Sequence, residues 1–187
     1  MSIQTTDNAP ISRRDRLRRV VILCRNFAVN LAYYRVGQRP EHSGLLDFQR
    51  HGNFWRAANG NFIDICVLEW CKLFTDSNGK HHWRNIVSDP TQFKTQLLDH
   101  LGIDEAAFQR EIAAARRYRD KFLAHLDSAE VMNIPILDIA KKAVWFYHAH
   151  VVEHEVTPGD LDGLPVELDT GYAQCERQAE ATYEHNA

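Results

Sequence analysis

Apolar residues recur at intervals of three and four along most of the chain, and no useful length shows the alternation of a half-buried strand. The first such stretch follows Ser12, a residue type that caps helix N-termini. Leu17, Val20, Val21, Cys24, Phe27, Ala28 and Leu31 share one face there, and the helix is expected to stop near Gly37 because Arg39-Pro40 follows. Residues 38–52, with Pro40, Gly44 and Gly52, read as a connection. A second long helix is predicted over 53–74, ended by the turn Asp76-Ser77-Asn78-Gly79. Residues 80–101 read as a loop with short helical turns that carries His81, His82, Trp83 and His100. A third long helix is predicted over 104–126 and a fourth over 135–155, with Pro135 in its first turn. A Pro/Gly-rich loop over 157–165 then precedes a final amphipathic segment near 168–184. The fold class is all-α, a bundle of four to five main helices with an extra C-terminal helix.

Length and composition narrow this further. A chain of 187 residues suits one compact domain and is short for two. Apolar residues at 44% and charged residues at 25% are ordinary globular values, which argues against wholesale disorder or a fibrous repeat. The organisation expected is a flexible tail over 1–12, a helical domain over 13–157, and a loop with an acidic helix over 158–187. The apolar runs are too short to cross a bilayer, and no apolar segment near the N-terminus reads as a secretory signal. Cys24, Cys66, Cys71 and Cys175 form no CxxC pair and are expected to be reduced thiols, so the location expected is cytoplasmic.

The net charge of −3 conceals an asymmetry. Residues 1–50 hold nine arginines against four acids, whereas residues 151–187 hold nine acids against Arg177 alone. The run Arg13-Arg14-Asp15-Arg16-Leu17-Arg18-Arg19 reads either as a track for phosphates or as a solvated helix face.

Two charges fall where a helix should be apolar. With Phe108 at zero and about 100° per residue, Arg119 lies near 20°, between Ile112 at about 40° and Leu126 at about 0°. With Phe54 at zero, Glu69 lies near 60°, among Ile65, Ala58 and Phe62. A guanidinium on an apolar stripe must find a carboxylate or line a wet cleft. Glu69 and Arg119 are therefore expected to pair between neighbouring helices, as a plain salt bridge or to hold the arginine rigid for an anion.

The string Arg119-Asp120-Lys121-Phe122-Leu123-Ala124-His125-Leu126-Asp127 resembles the R-x(4–6)-H signature of the HEPN superfamily, in which Asn or Asp commonly follows the arginine. Its form, R-[ND]-K-x-x-A-H-x-D, is similar to the branch associated with abortive-infection toxins, and Val67–Phe74 resembles that branch's second helix. The resemblance spans about 13–155 and implies a HEPN-like bundle. It further implies an endoribonuclease that needs no metal or other cofactor and works as a homodimer, with two motifs facing one shared cleft. RNA would be the substrate, in toxin–antitoxin or phage-defence biology, with a neutralising antitoxin protein as a possible partner.

The residue types suit such chemistry. Attack by a 2′-hydroxyl needs a proton acceptor, a proton donor for the leaving 5′-oxygen, and positive charge on the phosphorane. Histidine titrates in the right range, so His125 takes the proton work and Arg119 the phosphate charge, as the two catalytic residues. Asp120 and Lys121 would support them, and Glu69 would position Arg119. The tyrosine that some members carry two residues after the histidine is Asp127 here, so antitoxin modification at that position is not expected. The alternative is a non-catalytic HEPN-like module that binds a protein or nucleotide partner.

Other signals compete. His150-Val151-Val152-Glu153-His154 matches H-x-x-E-H, which with His148 would suit a zinc site, although the same histidines also fit a helix C-terminus. His81-His82-Trp83-Arg84 reads as a base-stacking loop or as a turn with Trp83 packed inward. No glycine-rich phosphate loop or nucleophile elbow is present.

Overall fold

The computed structural model describes residues 11–124 and 134–186, and every regular element among them is helical. Helix α1 spans Arg13–Gly37. Its start is set by Ser12, whose hydroxyl accepts from the Asp15 amide at 3.0 Å and donates to the Asp15 carboxylate at 2.7 Å. Leu17, Val21, Phe27, Leu31 and Val36 are all buried, and α1 is covered on two sides, by α2 (Phe54–Trp70) and by α6 (Leu168–Asn186). The connection between α1 and α2 holds a 3₁₀ turn, Pro40–Leu46, and a single helical turn, Phe48–His51.

Among the described residues, three helices end in a widened π turn, whose hydrogen bonds run from residue i to i+5. Helix α2 runs on into Cys71–Thr75, where the Asp76 amide donates to the Cys71 carbonyl at 3.0 Å. Helix α4 (Glu105–Tyr118) continues as Arg119–Ala124, and α5 (Asp138–His150) as Val151–Glu155. The last helix of the set, α3 (Pro90–Leu101), corrects the expectation of a loop with short turns over 80–101. Asp89 accepts from the amides of Thr91 and Gln92, Pro90 fills the first turn, and Gly102 closes the helix at φ 66°. Phe93, Leu97 and Leu101 then make one buried stripe against α5. Only the 3₁₀ turn Trp83–Asn85 precedes α3 in that stretch.

One apolar core joins these elements. Trp70 stacks on Phe74 at 4.3 Å, and Phe108 meets both rings edge-on. Leu168 and Tyr172 of α6 belong to the same core, so the helix in 158–187 is packed into the domain rather than hung from it. A smaller cluster of Val36, Leu45, Ala179 and Tyr183 closes the far end. There Gly37 lets three helices meet: a Cβ on it would lie 2.2 Å from Asn59 Nδ2 and 2.4 Å from Tyr183 Oη.

The arginine run at the start of α1 is exposed at Arg13, Arg14 and Arg19, yet three of its guanidiniums are engaged by other segments. Arg14 donates to the Gly159 carbonyl at 3.0 Å, and Arg18 donates to the carbonyls of Asp160 and Asp162. Arg13 reaches the Ile86 carbonyl and Glu155. Among the described residues, no helix is long and apolar enough to cross a membrane.

Candidate functional site

Arg119 is the first residue of the π turn that ends α4, and its side chain points at the π turn that ends α2. Its Nη1 donates to both carboxylate oxygens of Asp76, at 2.7 and 2.9 Å, and its Nε donates to Asp120 at 2.9 Å. Among the described residues nothing accepts from Nη2. The side chain is 21% exposed, against 42% for Asp76 and 51% for Asp120, so this is a half-buried clamp with one open edge. The hydrogen bond it donates to Asp76 dominates the upward shift of the guanidinium's pKa, which keeps the charge permanent.

The partner expected from the sequence is therefore corrected. Glu69 is buried, as the helical wheel requires, but its carboxylate accepts from Lys72 one turn along α2, at 2.9 Å. Its charge instead faces the thiols of Cys24 and Cys66, where, after burial itself, it is the next largest cause pushing both pKa values up. Arg119 lies beyond the end of the α segment, where the wider π turn has carried the chain to Asp76. Asp120 accepts from Arg119 Nε, and Lys121 is exposed on the same turn. His125 and Asp127 lie outside the described residues.

The other sequence signals resolve differently. Trp83 is packed inward, stacked on Phe93 at 5.2 Å with the Arg84 guanidinium 5.1 Å from its centroid, so neither face is open to a base. His82 is buried, with Nε2 3.1 Å from the Phe74 carbonyl, and burial pushes its pKa down to about 4, leaving it neutral at neutral pH. Within H-x-x-E-H, His150 turns to Glu155 at 3.3 Å while His154 lies 3.8 Å from Glu153. Among the described residues, no group of three His, Cys, Asp or Glu side chains is arranged to hold a metal ion, and His148 is buried under desolvation that lowers its pKa.

Glu155 is the anchor that the sequence reading missed. With its side chain only 2% exposed, it accepts from Arg13 at 2.6 Å, from the Ser88 amide at 2.7 Å and from the Ser88 hydroxyl at 2.6 Å. Burial alone would raise its pKa, but these donors outweigh burial and leave it below the ordinary carboxylate value.

Two hollows flank α2. An aromatic cleft of about 610 Å³ lies at its N-terminal end, lined by Tyr33, Phe54, Trp55, Phe62 and Tyr183. At 1.5 Å per residue that is about 30 Å from Asp76, so this cleft and the arginine clamp are separate features. The second hollow, about 170 Å³, lies beside the clamp and includes Thr75, Ser77 and Arg116 in its wall. No family model, curated protein or solved structure matches the chain.

Proposed function

We propose that the protein is a metal-independent endoribonuclease of HEPN type, with Arg119 and His125 as its catalytic residues. One observation carries the reading. The arginine that opens the R-x5-H motif is clamped in a fixed orientation by Asp76 and Asp120, and its Nη2 edge is left for another acceptor. A guanidinium fixed before its ligand arrives stabilises developing phosphorane charge without reorganising. His125 supplies the proton transfers in this reading, and Lys121 adds positive charge at the same turn. The work falls at a shared cleft of a homodimer, and toxin or phage-defence biology is the setting such a motif implies.

The experiment is cleavage of a mixed RNA pool in EDTA by the wild-type chain and by Arg119→Ala and His125→Ala. Cleavage in the wild type, abolished by both substitutions with the helical circular dichroism retained, is the expected result. Wild-type cleavage that persists in His125→Ala overturns the assignment.

The second reading, a non-catalytic helical module that binds a protein or nucleotide, draws on the same clamp. An ion pair of Arg119 with Asp76 is also what a purely structural arginine would make. No cleavage at high protein concentration moves that reading first.

A further inference from the structure

The hollow beside the arginine clamp has an uneven balance of charge. Arg84 from the 3₁₀ turn, Lys94 from α3 and Arg116 from α4 converge on its wall, three cations from three separate elements. Glu105 is the one acid among its lining residues, and it is spent on Lys94 at 2.5 Å. Among the described residues, neither guanidinium has a carboxylate partner. Arg116 gives one Nη2 bond to the Thr75 carbonyl at 2.9 Å, and Arg84 rests against the ring of Trp83. His82, which also lines the hollow, is neutral and offsets nothing.

Thr75, 3% exposed, also belongs to the wall, but its hydroxyl has no accessible surface and lies beside the Cys71 sulfur. Converging cations repel one another. An oxyanion in the hollow relieves that repulsion by giving the guanidiniums a shared acceptor. At about 170 Å³ the hollow suits a phosphate group rather than a whole nucleotide. It borders a further space of about 330 Å³, which shares Trp83, Arg84 and Lys94 and is walled by Pro90, Thr91 and Thr95.

Position links it to the clamp. Thr75 and Ser77 flank Asp76, which holds Arg119, and Arg116 precedes Arg119 by nearly one turn of α4. We infer that this hollow is a phosphate subsite for single-stranded RNA, which seats a backbone phosphate next to the one gripped at Arg119. The inference rests on the nuclease reading for its choice of RNA, and it extends that reading by giving the substrate a second point of attachment.

The test is equilibrium binding of a fluorescent 2′-O-methyl RNA decamer, which lacks the attacking hydroxyl, measured from 50 to 200 mM salt. The chains compared are wild type, Arg84→Ala/Arg116→Ala, Arg84→Lys/Arg116→Lys, and a control, Arg25→Ala/Arg56→Ala, that removes two exposed cations elsewhere. Removing both guanidiniums from the seated phosphate should weaken binding at least tenfold at the lowest salt. It should also reduce the slope of log K against log salt by about 0.7, the contribution of one phosphate in a single strand. The lysine variant should keep the slope, and the control should match wild type.

Unchanged affinity and slope in the alanine variant overturn the subsite. So does a wild type that binds no RNA at 50 mM salt, or a control that loses as much as the alanine variant. If the alanine pair lowers the helical circular dichroism, the single variant Arg84→Ala decides, with a smaller loss of affinity and slope in the same direction. Cleavage of unmodified RNA separates the two claims. Binding through the hollow without cleavage removes the nuclease reading and leaves the subsite, whereas cleavage with an unaltered slope does the reverse.

Discussion

Asp76→Asn separates a functional arginine from a structural one, because the two roles respond on very different scales. The amide keeps the shape of the side chain and one acceptor oxygen, so Arg119 Nη1 retains one of its two bonds and loses the opposing charge. The pair is partly solvated, at 21% and 42% exposure, which limits its contribution to stability to about 1 kcal/mol. A domain with about 5–15 kcal/mol of stability remains folded in well over 99% of molecules after such a loss. A structural arginine therefore predicts unchanged activity at 25 °C. A catalytic arginine that depends on its orientation predicts a fall in kcat of about 10–100-fold with KM little altered, since the interaction strengthens in the transition state. The assay is steady-state cleavage of a fluorogenic RNA in EDTA, alongside urea denaturation, with Asp76→Glu as the rescue variant. A stability loss of about 1 kcal/mol with kcat unchanged refutes the positioning argument, even if Arg119→Ala is inactive.

Three further outcomes follow from the packing. Glu155→Gln should cost about 2–3 kcal/mol, because a buried carboxylate with three charge-assisted donors is replaced by a neutral group, and calorimetry should show the midpoint about 4–12 °C lower. Since the folded-state pKa of Glu155 lies below its ordinary 4.5, that stabilisation is complete above pH 4.5 and is lost as the pH falls through the lower value. The difference between wild type and variant should therefore shrink in acid, and a difference constant down to pH 2 contradicts the assignment. Gly37→Ala should destabilise by about 1–3 kcal/mol in urea, since its Cβ would press on Asn59 and Tyr183; an unchanged midpoint would mean that α6 yields freely. Of the four thiols, Cys175 alone is not buried, so a native thiol titration should label it first and leave Cys24, Cys66 and Cys71 for the denatured chain.

The helices were legible wherever one apolar stripe met one side of the core. Ser12, the stripe from Leu17 to Leu31, and the stop at Gly37 matched α1 because cap, period and breaker agreed. Helix α3 was missed although Asp89-Pro90, the spacing of Phe93, Leu97 and Leu101, and Gly102 all announced it. The neighbouring histidines and Trp83 drew the reading toward a loop. For the site, the wheel found both buried charges but not their partners. A wheel of fixed pitch holds only while the helix stays α, and Arg119 and Asp76 lie at or past the point where it widens. In sequence, Asp76 reads only as the opening of a turn, which gives no sign that its carboxylate is a ligand. Glu155, 67 residues from Ser88 and 142 from Arg13, has no local signal at all.

The widened turns have a consequence for how the chain tolerates change in length. A π turn amounts to one residue inserted into an α-helix, and each of the three here immediately precedes or contains a carboxylate that makes an ion pair: Asp76, Asp120 and Glu155. Deleting a single residue from Cys71–Thr75 would let α2 finish as a regular helix, with its apolar stripe intact up to Trp70. The same deletion would turn Asp76 by about 100° around the axis and withdraw it from Arg119. Frame length at this turn therefore controls the clamp as strictly as the identity of any side chain, and two sequences alike in every helix but differing by one residue there would present different arginines.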